Sequence, residues 1–335
     1  MCPDPAGRRA PRDTRMSSAL AEGTRLASIT GVSTNDPSSA TASGFRVAVA
    51  AIDAGDVATL DRLLRDQPWL ARDRLTDHAP WLRDQIGGAM DGFFRDPYLL
   101  WFVAEDPVRN GTLPPNIAEV AATIIDAARR SETPTLQEQL DFALSLVSWS
   151  WIAAQHDVQL ALIDVLIDAG ANPDGNPNNA LVNGHLAAAE HLIRRGAKQT
   201  LPSALCLARW GDVERLLPLA TERERRFSFV LAALNGKPDA LRMLIRSGVD
   251  VNVASENLFS HGTPLHHAVS SGSLDAVTTL VEAGANLLAV DSAWNGTPLG
   301  WAEHYLSENA SGRGGTQYAE IAAYLRAKIS GRRAD

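Results

Sequence analysis

Three histidines between residues 261 and 267 are the first candidates for metal chemistry in this sequence. They are His261, His266 and His267, and histidine is a frequent zinc ligand. Residues 266 and 267 are neighbours, however, so their side chains point in different directions on a helix. No cysteine or carboxylate lies at ligand spacing from them. We therefore interpret the histidines as structural and predict no metal site.

The compact motifs of common catalytic sites are missing from the sequence. Phosphate-binding loops, zinc-peptidase helices, serine-hydrolase elbows and dinucleotide-binding turns each have a fixed pattern, and none of these patterns is present. The glycine-rich stretch 311–316 has no lysine and no preceding strand, so we interpret it as a flexible insertion. His156 beside Asp157 is not a catalytic dyad, because neighbouring residues of a helix diverge. We predict no catalytic residue and no cofactor.

The composition is that of a globular protein with an acidic balance. The chain has 335 residues, of which 45% are hydrophobic and 21% charged, and its net charge is -8. Nucleic acids and anionic membranes are bound through clustered lysines and arginines, so we expect neither as a partner. We find no bilayer span, no secretory signal and no disulfide framework, and we expect a cytoplasmic protein. The excess of arginine over lysine indicates a GC-rich genome, which we expect to be bacterial.

The start of the chain differs in composition from the remainder. Residues 1–44 mix Pro, Gly, Ser, Thr and Arg without apolar periodicity, so they bury too little apolar surface to offset the entropy of ordering. We predict a disordered tail at 1–44, a folded domain at 45–330 and a short C-terminal tail at 331–335. Met16 lies within the first tail and is a second possible translation start.

One unit recurs from Phe45 onward: a short apolar helix, a glycine turn and a second apolar helix. The clearest copy spans residues 263–286 and starts with Thr-Pro-Leu-His. Threonine suits the N-cap of a helix and proline its first turn. Gly272 and Gly284 can adopt the left-handed conformation that ends a helix. Because the apolar stripe of each second helix needs a cover, we predict stacked helix pairs.

This unit resembles the ankyrin repeat, whose signature is a Thr-Pro-Leu-His helix start and a Leu-Leu-x-x-Gly-Ala-Asp helix end. The resemblance covers residues 45–330 and implies an all-α solenoid of about eight helix-turn-helix repeats. It also implies that His266 hydrogen-bonds to a neighbouring turn. The expected turns between the two helices of each repeat lie at Gly55, Asn116, Val158, Gly184, Gly211, Gly236, Gly272 and Thr316. Their uneven spacing predicts central repeats without β-turn fingers and insertions at 76–115 and 306–316.

The resemblance also implies where a partner binds. In ankyrin repeats the two residues before each turn line a concave groove, and aromatic residues dominate protein interfaces. Trp210 and Tyr305 are therefore the expected anchors. The predicted partner-binding residues are Asp53, His156, Asp157, Asn183, Arg209, Trp210, Asn235, Ser271, His304 and Tyr305. We predict a non-catalytic module that binds and regulates a partner protein.

An aromatic-rich segment leaves a second interpretation open. The insertion at 76–115 contains Trp81, Phe93, Phe94, Tyr98, Trp101 and Phe102. These side chains either fill the core around an enlarged second repeat or wall a small-molecule pocket beside the groove. In the second case the protein would be an enzyme, with His156 or His304 as the acid–base group. An open groove favours the binding module, and a deep cavity roofed by the insertion favours the enzyme.

Overall fold

The computed structural model describes residues 37–76, 80–253, 261–308 and 314–331. Every regular element in these ranges is a helix, as predicted. The chain divides into two compact units, residues 1–172 and 173–335. None of the described helices is long and apolar enough to cross a membrane. Most of the predicted N-terminal tail, residues 1–36, lies outside the described residues, and so do residues 332–335.

Unit 1, residues 1–172, contains three helix pairs and a group of short helices. Its elements in order are α1 (Pro37–Ala54), α2 (Val57–Asp66), α3 (Trp69–Arg72), α4 (Pro80–Ile86), the 3₁₀ helices η1 (Gly87–Asp91) and η2 (Leu99–Ala104), α5 (Ile117–Arg130), α6 (Leu136–Trp149), α7 (Trp151–Gln155) and α8 (Gln159–Ala169). The first helices α1, η2 and α6 pack side by side, and so do the second helices α2, α5 and α8. Each pair therefore buries its apolar face against its neighbours.

The predicted tail boundary at residue 44 falls within α1. This helix begins at Pro37, and a Cβ added at Gly44 would lie 2.9 Å from Cη2 of Trp69. Phe45 is fully buried, with its ring centroid 5.9 Å from that of Trp69. Residues 38–43 are mainly serine, threonine and alanine. The start of the helix was not predicted, because these residues carry no apolar periodicity.

Unit 2, residues 173–335, contains five helix pairs. Its elements are α9 (Asn176–Val182), α10 (Leu186–Arg194), α11 (Leu201–Cys206), α12 (Trp210–Leu216), η3 (Leu217–Leu219), α13 (Glu222–Leu234), α14 (Pro238–Arg246), α15 (Pro264–Ser270), α16 (Leu274–Glu282), α17 (Pro298–Glu308) and α18 (Gly314–Gly331). The first helices α9, α11, α13, α15 and α17 pack in order, and so do the second helices α14, α16 and α18. Three pairs in unit 1 and five in unit 2 give the eight predicted repeats.

The connections between successive pairs of unit 2 differ in length. Residues 195–200 join α10 to α11, and residues 220–221 join η3 to α13, whereas residues 283–297 join α16 to α17. The short central connections agree with the prediction that some repeats lack a finger. The predicted insertion at 306–316 includes the end of α17 and the start of α18, and residues 309–313 lie outside the described part of the chain.

The turn inside a helix pair has a constant geometry. Gly184 has a φ of 74°, and the next N–H, of His185, donates to the Ala180 carbonyl at 2.9 Å. This bond closes the first helix of the pair and reverses the chain into the second. Positive φ angles confirm the predicted turns at Gly55, Gly184, Gly236 and Gly272.

Two predicted turns are displaced along the chain. The left-handed residue of the third pair is Asp157, with a φ of 57°, not Val158. In the fifth pair it is Ala208, with a φ of 55°, and the predicted Gly211 lies inside α12. In the fifth pair the glycine at position 211 was a misleading guide to the turn, because other residues can occupy a left-handed position at a modest cost.

The two remaining predicted turns also need correction. Asn116 is the N-cap of α5, and the residue that ends η2 in the left-handed region is Glu105, with a φ of 50°. Thr316 lies inside α18. Both pairs contain insertions, so a fixed distance from the apolar pair of the second helix does not locate their turns.

Candidate functional site

The connection from α16 to α17 carries the most distinctive loop of unit 2. We call residues 286–296 the finger. The Asp291 side chain is buried at its centre and accepts four hydrogen bonds. Their donors are the backbone N–H groups of Ala293 at 2.8 Å, Trp294 at 2.6 Å and Gly296 at 2.7 Å, and Nε1 of Trp301 at 2.9 Å. Asp291 therefore fixes the finger to the start of α17.

The charge on Asp291 follows from these contacts. Burial alone would raise the pKa of Asp291, but the hydrogen bonds from Trp294, Trp301 and Gly296 lower the pKa below its usual value. A carboxylate that accepts several N–H bonds stays ionised, because those bonds favour the charged form. The finger is thus organised around a buried negative charge.

Three apolar side chains of the finger face the solvent. The exposed fractions are 59% for Leu288, 51% for Val290 and 56% for Trp294. Leu287, directly before them in sequence, is buried, so the finger has an inner apolar side and an outer one. Single exposed apolar residues are ordinary, but several on one fixed loop indicate an interaction site.

The predicted structural histidine braces this finger. His266 is fully buried, and its Nδ1 accepts the backbone N–H of Thr263 at 3.1 Å. The other ring nitrogen, Nε2, therefore carries the proton and donates to the Gly296 carbonyl at 3.1 Å. Removal from water lowers the pKa of His266 despite that bond, so the ring is neutral. The prediction that His266 bonds to a neighbouring turn is confirmed.

His261 supports the exposed tryptophan. Its ring centroid lies 5.1 Å from that of Trp294, edge to face, and 6.0 Å from that of Trp301. The His261 carbonyl also accepts the backbone N–H of Ser292 at 2.8 Å. Among the residues that the structure describes, no group of three His, Cys, Asp or Glu side chains could hold a metal ion.

Comparison with known proteins assigns this part of the chain to a family. Residues 180–291 and 229–310 match the family model for ankyrin repeats in three copies. Residues 180–310 therefore belong to the ankyrin-repeat family. The matched residues lie in unit 2, run from the end of α9 through α17, and include the finger and its brace His266.

Two known proteins illustrate the similarity. The potassium channel SKOR of Arabidopsis thaliana is 44% identical over 64 residues, which are 19% of this chain and 7% of the channel. The chain therefore covers only 7% of the length of that curated relative. The human ASB11 ankyrin repeat domain is 18% identical, with a TM-score of 0.30, over 61% of this chain and 96% of that one.

The predicted groove residues of unit 1 have mixed roles. Asp53 is engaged within the protein, because its Oδ1 pairs with Nη2 of Arg109 at 2.6 Å and its Oδ2 accepts Nδ2 of Asn110 at 2.9 Å. His156 is half-buried at the end of α7, and Asp157 is the exposed turn residue. Of the three residues predicted in unit 1, only His156 and Asp157 therefore stay available to contact a partner.

Two predicted asparagines of unit 2 face the interior. Asn183 is buried at the end of α9. Asn235, at the end of α13, donates through Nδ2 to the Leu181 carbonyl at 2.8 Å and to the Leu231 carbonyl at 2.9 Å. Asn235 therefore ties α13 to α9.

Neither predicted aromatic anchor occupies the groove position. Trp210 and its neighbour Arg209 follow the corrected turn at Ala208, so they start α12 and do not end a first helix. Tyr305 is only 8% exposed, stacks on Tyr318 with ring centroids 5.1 Å apart, and its hydroxyl lies 3.1 Å from Oγ of Ser270. The helical period explains this burial, because the core face of α17 includes Tyr305.

The remaining predicted groove residues are Ser271 and His304. Ser271 is half-buried, and its hydroxyl donates to the Ala268 carbonyl at 2.7 Å. His304 is exposed on α17. The structure thus leaves His304 as the most accessible of the residues predicted in unit 2 besides Trp210.

The aromatic segment of unit 1 fills the core. Phe94 contacts Phe102 at 5.3 Å between ring centroids, and Trp101 contacts Tyr98 at 5.2 Å and Phe142 at 4.3 Å. Phe94, Tyr98, Trp101 and Phe102 are all buried. These rings pack on one another, so they do not wall an opening. Phe93 is exposed and Trp81 half-buried.

A buried charge cluster follows η2, and no sequence pattern predicted it. The Glu105 carboxylate is buried, accepts the backbone N–H groups of Arg109 at 2.8 Å and Gly111 at 2.9 Å, and pairs with the Arg109 guanidinium at 2.8 Å. Removal from water and the neighbouring Glu105 raise the pKa of Asp106 to about 7. The cluster joins this loop to Asp53 of α1.

The finger residues were not predicted either, although a signal was present. Leu287, Leu288 and Val290 form an apolar run between the glycine after α16 and the next Thr-Pro helix start. A loop at this position has no helical core to fill, so the run indicated residues with another role. Aromatic anchors were predicted only beside the turns between helices, and Trp294 of the finger was therefore missed.

Proposed function

We propose that this ankyrin-repeat protein is a non-catalytic protein-binding module whose main contact surface is the finger of unit 2. Ankyrin repeats in general serve protein–protein interactions. The partner is a protein, not a nucleic acid or a membrane, and binding modulates it.

The observation that carries this proposal is the outward display of Leu288, Val290 and Trp294 on a fixed loop. Removing exposed apolar groups from water lowers the free energy of the complex. A preorganised loop also loses little entropy on binding. The Asp291 hydrogen bonds and the His266 contact hold the loop before a partner arrives.

Parts of the predicted groove in unit 2 extend the proposed surface. Ser271 follows the last residue of α15, and His304 lies in the second half of α17. We retain these two as secondary contacts, and His156 and Asp157 stay candidate contacts within unit 1. Asp53, Asn183, Asn235 and Tyr305 are left out, because their side chains are engaged or buried within the protein.

The alternative of an enzyme has less support. A catalytic site needs a concave pocket with convergent polar groups. The aromatic insertion that would roof such a pocket is packed into the core of unit 1, and His304 is exposed to solvent. These observations favour binding over catalysis.

Affinity capture from a lysate of the native cells tests the proposal. The baits are the wild-type chain, a finger variant (Leu288→Ser, Val290→Ser, Trp294→Ala) and a control variant (Trp210→Ala, Leu219→Ser). The control removes side chains of unit 2 that are 36% and 78% exposed. A partner recovered with the wild type and the control, but lost with the folded finger variant, supports the proposal. Equal recovery with all three baits contradicts it.

A further inference from the structure

We propose that the finger binds a cationic and apolar segment of its partner, with an arginine or lysine over Trp294 and apolar side chains against Leu288 and Val290. This inference rests on the proposed function and names the chemistry of the partner. It is argued from the charge of the surrounding sequence and from the setting of Trp294.

The part of unit 2 that carries the finger has carboxylates but lacks permanently charged basic side chains. Residues 261–308 contain no lysine and no arginine. The acidic residues in this range are Asp275, Glu282, Asp291, Glu303 and Glu308. Arg326 of α18 pairs with Glu303 at 2.7 Å, so that carboxylate is already neutralised. The others give this part of unit 2 a local negative charge.

Two acidic groups border the finger. Glu282 is exposed in the last turn of α16, just before the finger begins. Asp250 is exposed in the neighbouring connection, which bonds to the finger through Asn252, because Oδ1 of Asn252 accepts the backbone N–H of Asn286 at 2.8 Å. Arg246, exposed in the last turn of α14, precedes Asp250 by four residues, so Glu282 is the carboxylate that a partner cation meets beside the exposed apolar groups.

The indole of Trp294 is held in a way that suits a cation. Its ring contacts His261 at 5.1 Å and Trp301 at 5.6 Å, both close to edge-to-face, and 56% of the residue remains exposed. The face of an indole attracts lysine and especially arginine. Two supporting rings reduce the entropy that the indole would otherwise lose on binding.

The charges near the finger also limit the alternatives. A phosphate-rich or acidic partner would face Glu282 and Asp250 with no lysine or arginine in residues 261–308 to compensate. Like charges across an interface disfavour binding. A neutral apolar partner would use Leu288 and Val290 but would gain nothing from the carboxylates. A segment that alternates cationic and apolar side chains matches both features.

Fluorescence anisotropy with three labelled model peptides tests the inference on the full chain. The first peptide alternates arginine with leucine, the second glutamate with leucine, and the third arginine with serine. We expect the arginine–leucine peptide to bind at least about tenfold more tightly than either of the others. Its affinity should fall as salt is raised, because the carboxylates are exposed.

Variants locate the binding. Trp294→Ala should weaken the arginine–leucine peptide about tenfold, as expected for an aromatic anchor. The matched control Trp210→Ala should leave binding unchanged. Because Trp294→Ala removes ring contacts, the charge reversal Glu282→Lys provides a second test on an exposed side chain, and it should weaken binding severalfold.

Three results would overturn the inference: equal or tighter binding of the glutamate peptide, no binding of the arginine–leucine peptide, or binding that both Trp294→Ala and Glu282→Lys leave unchanged. These failures are distinct from failure of the proposed function. If the capture experiment still shows a partner that depends on the finger, the module binds through this surface and only the cationic chemistry is wrong.

Discussion

Asp291 is the residue on which the geometry of the finger depends most. Its carboxylate is buried, ionised and bonded to three backbone N–H groups and one indole. A side chain that carries no charge would leave several of these donors without an acceptor. The exposed Leu288 and Trp294 keep their positions because this acceptor orders the backbone between and after them.

We expect Asp291→Asn to lower the free energy of unfolding by about 2–3 kcal/mol, since charged hydrogen bonds are lost and buried donors remain unpaired. Urea unfolding followed by circular dichroism measures this change. Glu282→Gln is the matched control, because Glu282 is an exposed carboxylate of the same repeat, and it should change stability by less than about 0.5 kcal/mol. Similar midpoints for both variants would contradict the structural role of Asp291.

Asp106 gives unit 1 a pH dependence of defined sign. Its folded pKa of about 7 exceeds the ordinary value of 3.8. The folded state therefore retains a proton that the unfolded chain has already released. The stabilisation is complete below about pH 4 and is lost as the pH rises through about 7. The charged group that acts on it is the neighbouring Glu105, which pairs with Arg109.

We expect Asp106→Asn to remove a loss of stability that Asp106 causes in the wild type between about pH 4 and about pH 7. The lowered pKa of His266 acts in the opposite direction over part of this range, so the difference in unfolding free energy between the two chains is the quantity that tests Asp106. Urea unfolding at several pH values measures both chains. Asp84→Asn, at an exposed aspartate of α4, should behave as the wild type does. A difference between the wild type and the Asp106→Asn chain that does not change with pH would show that this carboxyl is not responsible.

How far single residues could be predicted depended on whether their role is local. The role of His266 was predicted, because the resemblance of its Thr-Pro-Leu-His motif to the ankyrin signature implies a histidine that bonds to a neighbouring turn, and Gly296 supplies that turn. The roles of Asp291 and Glu105 were not, because their donors come together only when a loop closes. Tyr305 was assigned to a groove on the basis of its position, but the period of α17 places it in the core.

At the scale of elements, the helix pairs were predictable and their exact turns were not. Apolar pairs and Thr-Pro starts located the helices, and four glycines with positive φ confirmed their turns. In the third and fifth pairs the turn residues are Asp157 and Ala208, which no glycine pattern reveals. A displaced turn moves the predicted groove residues, and this explains why Trp210 was assigned to the wrong helix end.

Two glycine substitutions test the corrected turn of the fifth pair. Gly211 lies inside α12, and an added Cβ would meet nothing within 4 Å. Gly211→Ala should therefore stabilise the protein by about 0.5–1 kcal/mol, as alanine does in a helix interior. Gly184→Ala has equal space, but its φ of 74° should make the change destabilising by about 1 kcal/mol.

Thermal or urea unfolding distinguishes the two cases. If Gly211 were the turn residue, both alanine variants would be destabilised to a similar extent. A stabilising Gly211→Ala together with a destabilising Gly184→Ala supports the turn at Ala208. Side-chain contacts do not affect this comparison, because a Cβ added at either glycine has no neighbour within 4 Å.

At the scale of the whole molecule, repetition explains both what was predicted and what was missed. Stacked helix pairs bury their apolar faces only against adjacent pairs, so a repeating apolar pattern was enough to predict the fold class and a general binding role. The proposed binding surface lies where the spacing of the helix pairs widens. The α16–α17 connection is such an interruption, and it carries Leu288, Val290 and Trp294.

Site-specific photo-crosslinking in the native cells tests the central claim that the finger contacts a protein partner. A photoreactive phenylalanine analogue replaces Val290 in one chain and Leu219, an exposed side chain elsewhere in unit 2, in another. The account predicts a discrete protein adduct from position 290 and none from position 219. An adduct from position 219 alone, or none from position 290, would contradict the assignment of the finger as the binding surface.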